Sequence, residues 1–184
     1  MPTGRTAAVA QSLVAACAAL SMAVALAAGP RLHDPWQSKG TAARVHDGDT
    51  FDLRTDDRGA IRIRFSGIDA PERGQAYSRK ATEHLQSLLQ GKAVRVRCYK
   101  DDGNSLEVCD VDVEGQDIGL AMIDAGLAWH FKRFEQEQEE GARRAYAAAE
   151  ERARQRRVGL WAHSEPPMPP WECRQRKRQG LACR

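Results

Sequence analysis

The amino-acid sequence predicts an α+β fold with five short β-strands and three helices, on the basis of three observations. Two segments alternate apolar and polar residues on either side of a turn-forming run ("TDDRG" and "KDDGN"), which is typical of β-hairpins. One segment of helical periodicity lies between the hairpins, and two more follow the second hairpin. Five short strands in a chain that returns on itself suit a small closed barrel of the oligonucleotide/oligosaccharide-binding (OB) type, although alternation alone does not establish closure.

The strands are predicted in chain order at 43–45, 50–54, 60–65, 93–99 and 105–113. The second and third strands form one hairpin, and the fourth and fifth form another. In the second hairpin Cys98 and Cys109 can lie opposite each other, as a cross-strand disulfide requires.

Helices are predicted at 76–92, 117–129 and 135–158. One face of the first helix is apolar and Gly91 is its stop signal; the residues of that face are Tyr77, Ala81, Leu85 and Leu88. Prolines near the end of the chain predict that regular structure stops before the tail, namely Pro166, Pro167, Pro169 and Pro170.

The first residues have the features of a signal peptide. Arg5 precedes a run of alanine, valine and leucine, and Ala25-Leu26-Ala27 offers a small-x-small cleavage site. We therefore expect an exported protein, periplasmic or secreted, without stable membrane association after cleavage. The alternative is an uncleaved anchor, which so alanine-rich a run favours less.

The expected organisation is a signal peptide at 1–28, a lead-in linker at 29–41, a domain at 42–163 and a Pro/Arg-rich basic tail at 164–184. The net charge is only +3, yet residues 152–184 include nine basic and two acidic side chains. Such a tail either binds polyanions such as nucleic acid or a membrane surface, or keeps the protein soluble. Trp171, beside the basic run, either stacks on nucleic acid or packs against the third helix.

Export would place the cysteines of the mature chain in an oxidising compartment, where two disulfides are expected. Three pairings of Cys98, Cys109, Cys173 and Cys183 are formally possible. Proximity along the chain favours Cys98–Cys109 and Cys173–Cys183. Zinc binding is the weaker interpretation, because no C-x-x-C or paired-histidine spacing accompanies these residues.

Two acidic clusters, "DGDT" and "GIDAPE", lie near strand ends that a hairpin would bring together. Asp49 and Asp69 offer the carboxylate oxygens that calcium prefers, and Arg64 can bind a phosphate with two parallel hydrogen bonds. Glu72 can orient or deprotonate a water molecule. Together these groups would form a site that hydrolyses phosphodiesters. The alternative is that the acidic residues only cap turns and the arginine belongs to a solvated strand face.

The segments "DGDTFDL", "RIRFSGIDAPE", "GLAW" and "VGLW", in this order and spacing, resemble the thermonuclease family of staphylococcal-nuclease-like (SNase-like) domains. The resemblance covers about residues 43–161. It implies an OB-type barrel of five strands with three helices, and a calcium-dependent phosphodiesterase that acts as an endonuclease or exonuclease on DNA and RNA. We expect a preference for single-stranded substrates and a monomer. Phe131 or Phe134 stands where the family has tyrosines near the substrate.

By this resemblance Asp49 and Asp69 match calcium ligands, and Asp47 matches a supporting carboxylate nearby. Ala70 stands where the family often has threonine. That position contributes its backbone carbonyl, so the change of side chain need not abolish binding.

The resemblance also implies catalytic roles, with Arg64 on the scissile phosphate and Glu72 activating or positioning water. The second arginine of the family is replaced here by Asn104, and loss of such a donor typically costs about 10²–10³ in rate. Lys100 or Arg133 are candidates to supply the missing charge. The intact acidic set favours a nuclease of reduced activity, whereas Asn104 favours a non-catalytic domain that binds nucleic acid or a protein.

Overall fold

The computed structural model describes residues 31–103 and 105–183. The signal peptide predicted at 1–28 and the substitution at Asn104 therefore lie outside the described residues. Within the described part of the chain, no helix combines the length and apolar character needed to cross a bilayer.

Five of the strands form a closed barrel. The strands are β1 (Arg31–Val45), β2 (Thr50–Thr55), β3 (Gly59–Phe65), β4 (Ile68–Asp69), β5 (Val94–Asp101), β6 (Glu107–Val113), β7 (Gln116–Asp117) and β8 (Trp129–His130). In the barrel the order is β3-β2-β1-β5-β6 with antiparallel neighbours, and β3 also pairs with β6 in parallel. This last pairing joins the two edges of the sheet, so the predicted OB-type barrel is confirmed.

The three predicted helices are present, and a fourth lies in the tail. The helices are α1 (Ser78–Leu89), α2 (Ile118–Asp124), α3 (Glu140–Gln155) and α4 (Pro170–Arg178), with 3-10 segments at Lys132–Glu137 and Gly159–Trp161. The prediction that the prolines end regular structure is wrong, because Pro170 begins α4. A proline fits the first helical position, where its missing N–H has no intrahelical partner in any case.

The first strand differs from the lead-in linker predicted at 29–41, because residues 31–41 belong to β1. The strand bonds first to β5 and then to β2, and Gly40 pairs with both. A Cβ at Gly40 would collide with the carbonyl of Arg54, so only glycine fits this close crossing of strands. Pro35 falls in an irregular stretch of the β1–β5 register, where a strand tolerates a residue without an N–H.

The barrel core consists of the inward-facing residues of the strands and one face of α1. Fully buried examples are Phe51, Leu53, Ile63, Val94 and Leu85. A second apolar cluster connects the "GLAW" and "VGLW" segments with α3, and its buried members are Trp129, Ala153, Leu160 and Trp161. β8, which contains the tryptophan of "GLAW", pairs with β4. The second cluster therefore supports β4, the short strand that ends at Asp69.

Both predicted disulfides are present. Cys98 on β5 lies opposite Cys109 on β6 and is bonded to it, within the barrel core. Cys173 on α4 is bonded to Cys183, which closes the C-terminal segment on itself. The first bridge strengthens the barrel wall, and the second fixes the tail.

Candidate active site

The start of β2 and the end of β4 lie side by side. Asp49 immediately precedes β2, whose Thr50 pairs with Arg64 on β3. The carbonyl of Asp49 accepts a hydrogen bond from the N–H of Phe65 at 2.9 Å. The N–H of Ala70, just after β4, donates to Oδ2 of Asp49 at 2.8 Å. The hairpin register therefore brings the two acidic clusters together.

Arg64 bridges the two predicted calcium ligands. Its guanidinium donates to Oδ1 of Asp49 at 3.4 Å and to Oδ1 of Asp69 at 3.0 Å. Both carboxylates are buried, Asp69 completely. Attraction by Asp49 raises the pKa of the Arg64 guanidinium above its ordinary value. The arginine is thus held as a fixed cation beside two buried anions.

A third carboxylate, Asp47, lies beside Asp49 in this site. Asp47 accepts a hydrogen bond from the N–H of Asp49 at 3.1 Å. Burial, together with repulsion from Asp49, raises the pKa of Asp47 to about 7. Burial also raises the pKa of Asp69. Carboxylates that repel one another away from water are stabilised by a bound cation.

The available ligands fit calcium in chemical type. Asp49 and Asp69 provide buried carboxylate oxygens, and Ala70 brings its backbone beside Asp49. In the described residues no three His, Cys, Asp or Glu side chains form a ready cluster of metal ligands. Calcium also accepts backbone carbonyls and water as ligands, so two carboxylates and one backbone segment suit it better than they suit zinc.

Glu72 lies in the loop after β4 and contacts a side chain that the sequence analysis did not identify. Its carboxylate accepts a hydrogen bond from Arg174 at 2.7 Å. Arg174 also donates to both oxygens of Asp69, at 3.0 and 2.7 Å. These contacts place the predicted base, a predicted calcium ligand and the tail arginine in one hydrogen-bonded group.

Several contacts fix the segment that carries Arg174. Cys173 is completely buried, and the ring of Trp171 packs on Trp129 and Phe131 at centroid distances of 6.2 and 5.7 Å. Gln75 donates to the carbonyl of Met168 at 2.7 Å, while its own side-chain oxygen accepts the N–H of Glu72. The tail is thus attached to the loop that presents Glu72, and Trp171 packs on aromatic rings of the domain.

A cavity of about 310 Å³ adjoins this group. Arg64, Arg174 and Glu72 are among the residues that line it. Aromatic rings form part of its wall, those of Tyr99, Phe131 and Phe134. The two phenylalanines predicted near the substrate are therefore beside the acidic cluster.

Lys100 and Arg133, the residues predicted to compensate for Asn104, also line this cavity. Lys100 donates to both oxygens of Glu137, at 2.7 and 3.0 Å, and its ammonium lies 4.2 Å from the centre of the Phe134 ring. The guanidinium of Arg133 lies 5.5 Å from the same ring. Arg174, in contrast, contacts Asp69 and Glu72 directly, which makes it the better candidate.

The barrel and these side chains together define an SNase-like domain with a candidate phosphodiesterase site. A family model described as staphylococcal nuclease homologue matches residues 62–163, and the chain belongs to this family.

Curated relatives include plant and bacterial proteins. A staphylococcal-like nuclease of Arabidopsis thaliana (CAN1) is 40% identical over 120 residues, which are 65% of this chain and 35% of the plant protein. The chain thus spans about one third of that relative. An uncharacterized endonuclease of Escherichia coli O157:H7 is 35% identical over 139 residues, 75% of this chain and 86% of the relative. Another, from Haemophilus influenzae, is 32% identical over 134 residues, 73% and 72% of the two chains.

Proposed function

We propose that this protein is an exported, calcium-dependent nuclease that hydrolyses phosphodiester bonds of DNA and RNA. The observation that carries the proposal is the convergence of Asp49, Asp69, Arg64 and Glu72. Cation ligands, a phosphate-binding guanidinium and a carboxylate base are the groups that phosphodiester hydrolysis needs. Membership of the family, and relatives named as a nuclease and as endonucleases, support the same reaction class.

Arg64 would bind the scissile phosphate. Its hydrogen bonds to Asp49 and Asp69, within the described residues, use two of the five N–H donors of a guanidinium. Remaining donors can contact phosphate oxygens in the planar geometry that arginine favours. Because the ion pairs already orient the side chain, little reorganisation is needed when charge develops on the phosphate.

Glu72 would accept a proton from the attacking water. Its side chain is 29% exposed, so water can reach it, and Arg174 fixes its orientation. Asp49, Asp69 and the backbone of Ala70 would hold calcium. Bound there, the ion would neutralise charge on the phosphate and polarise a phosphoryl oxygen.

The aromatic wall of the cavity favours single-stranded substrates. Tyr99, Phe131 and Phe134 present rings on which unpaired bases can stack, whereas the bases of a duplex are already stacked on one another. The proposal includes action as a monomer, with one complete site in each chain.

Export is supported by the cysteine chemistry. Two disulfides are formed, and such bonds persist in oxidising compartments such as the bacterial periplasm or the extracellular medium. The features of the signal peptide at 1–28 agree with this location.

The test is cleavage of single-stranded DNA by the purified mature chain. Calcium should release fragments and EDTA should stop their release. Glu72→Gln keeps the size of the side chain but removes the base, and should lower kcat by about 10²–10⁴. Glu83→Gln is the matched control, because Glu83 is exposed on α1 and pairs only weakly with Arg79. It should cleave like the wild type.

The second candidate function is a non-catalytic domain that binds nucleic acid or a protein. The replacement of the second family arginine by Asn104 favours it. Absence of calcium-dependent cleavage of both DNA and RNA, with retained binding of an oligonucleotide, would establish this function instead of the nuclease.

A further inference from the structure

We propose that Arg174, carried by the disulfide-closed tail helix α4, is a second phosphate-binding residue of the active site. This inference rests on the nuclease proposed above and assigns one more side chain to it. The first observation is the location of Arg174, which lines the same cavity as Arg64 and Glu72.

The two guanidiniums converge on one carboxylate. Arg64 and Arg174 both donate to Oδ1 of Asp69, each at 3.0 Å. Arg174 reaches the second oxygen of Asp69 at 2.7 Å and Glu72 at 2.7 Å. A phosphate in the adjoining cavity can therefore meet two planar donor groups from opposite ends of the chain, in the arrangement that stabilises charge on several phosphate oxygens.

The negative charge of the site favours a second cationic side chain there. Asp49, Asp69 and Glu72 each contact an arginine, and together they carry three negative charges. Arg64 and one calcium ion would at most balance these three charges, and Asp47 beside Asp49 adds further partial negative charge near neutral pH. Arg174 adds one more positive charge to this acidic group, which reduces the repulsion that an anionic substrate would meet there. Because the group is partly shielded from water, this charge acts more strongly than it would on the open surface.

The tail holds Arg174 in place, as a preorganised donor requires. Cys173, the preceding residue, is completely buried and bonded to Cys183. Trp171 packs on two rings of the domain, and Met168 accepts a hydrogen bond from Gln75. A tail that served solubility alone would not need these attachments, and its arginine would not be bonded to a buried aspartate.

The test compares three variants. Arg174→Gln removes the charge, Arg174→Lys keeps the charge but loses the fork, and Arg178→Gln removes the same charge from an exposed position one turn further along α4. Arg174→Gln should lower kcat by about 10²–10³ and raise KM by no more than about tenfold, because the donor contacts the phosphate of the bound substrate and stabilises the transition state more strongly. Arg174→Lys should recover part of the loss, and Arg178→Gln should remain within about twofold of the wild type.

Binding of a labelled oligothymidylate of eight nucleotides, measured in EDTA, provides a test that does not depend on cleavage. Arg174→Gln should bind it about tenfold more weakly, a loss typical of one charge-assisted hydrogen-bonded contact, and Arg178→Gln should bind like the wild type. Thermal unfolding and peptide mapping of Cys173–Cys183 verify that each variant keeps its fold.

The outcomes separate this inference from the nuclease itself. If the wild type does not cleave but Arg174→Gln alone weakens oligonucleotide binding, the nuclease is wrong and the phosphate contact stands. If the wild type cleaves and Arg174→Gln cleaves equally fast, the inference is wrong. Faster cleavage by Arg174→Gln would also overturn it, because the arginine would then block the site. If the wild type does not cleave and Arg174→Gln binds the oligonucleotide as tightly as the wild type does, both the nuclease and the phosphate contact are wrong.

Discussion

Asp49 is the residue on which the proposed calcium site depends most, because its carboxylate contacts both Arg64 and the backbone of Ala70. Calcium should raise the Tm of the wild type, since a ligand that binds only the folded state stabilises it; at 100 times Kd the gain is about 2.7 kcal/mol. Asp49→Asn should abolish this calcium-induced shift in Tm. The measurement is thermal unfolding with calcium and with EDTA.

Asp57→Asn is the control for this experiment. Asp57 lies in the turn between β2 and β3, where its side chain is exposed. The control should keep the full calcium-induced shift. An Asp49→Asn variant that also kept it would show that calcium binds elsewhere or not through this carboxylate.

Individual site residues were predictable where the hairpin alone determines their position. Asp49 and Arg64 lie at the open end of the β2–β3 hairpin, and the register Thr50↔Arg64 follows from the alternation of the two strands. Asp69 and Glu72 follow within a few residues. Arg174 is different, because it is 105 residues from Asp69 along the chain. The disulfide predicted for the neighbouring Cys173 indicated that the segment of Arg174 is fixed. No local sequence pattern indicates that this segment lies beside Asp69.

At the level of elements, α2 depends on a cap that a side chain from α3 completes. Asp117 accepts the N–H of Leu120 at 2.9 Å, and the hydroxyl of Tyr146 donates to the same carboxylate at 2.9 Å. Burial raises the pKa of Asp117, but its hydrogen bonds to backbone and hydroxyl oppose that effect. The carboxylate therefore joins the start of α2 to the middle of α3.

Asp117→Ala should lower the free energy of unfolding by about 2–4 kcal/mol. Loss of a helix cap costs about 1 kcal/mol, and a buried hydroxyl without its partner costs about 1–3 kcal/mol. Tyr146→Phe removes only the donor and should cost about 1 kcal/mol. Asp110→Ala, which breaks an exposed pair with Arg97, should cost less than about 1 kcal/mol. Urea unfolding of the three variants measures these values, and equal losses would contradict the role of the cap.

The elements that the sequence predicted well are those with local signals. Strict alternation around "KDDGN" predicted the hairpin of β5 and β6, with Cys98 opposite Cys109. The first part of β1 has Pro35 and Gly40 within it and no clear alternation, so its strand character comes from pairing with distant β5 and β2. α4 was missed because four prolines precede or begin it, although a proline at the first helical position is compatible with a helix.

At the scale of the whole molecule, the two disulfides serve different parts of the protein. Cys98–Cys109 joins neighbouring strands inside the barrel core, whereas Cys173–Cys183 closes the segment that carries Arg174. The barrel and α1 bury most of the apolar core, while α4 contributes Cys173 and little else to the buried apolar set. Stability and site geometry should therefore respond differently to the loss of each bridge.

Replacing Cys98 and Cys109 together by alanine should lower the free energy of unfolding by about 2–4 kcal/mol, since a cross-link chiefly restricts the unfolded chain. Replacing Cys173 and Cys183 by alanine should change global unfolding of the barrel much less. It should instead lower kcat by at least about tenfold, because α4 would no longer hold Arg174 against Asp69 and Glu72.

Urea unfolding and cleavage of single-stranded DNA, measured on both double variants, distinguish the two effects. A fall in kcat caused only by loss of Arg174 should not add to the effect of Arg174→Gln when the changes are combined, because both remove the same interaction. If the tail variant lost barrel stability as much as the barrel variant did, α4 would be part of the cooperative core. If the tail variant kept full activity, Arg174 would not need the bridge, because the packing of Trp171 and the hydrogen bond from Gln75 would hold it sufficiently.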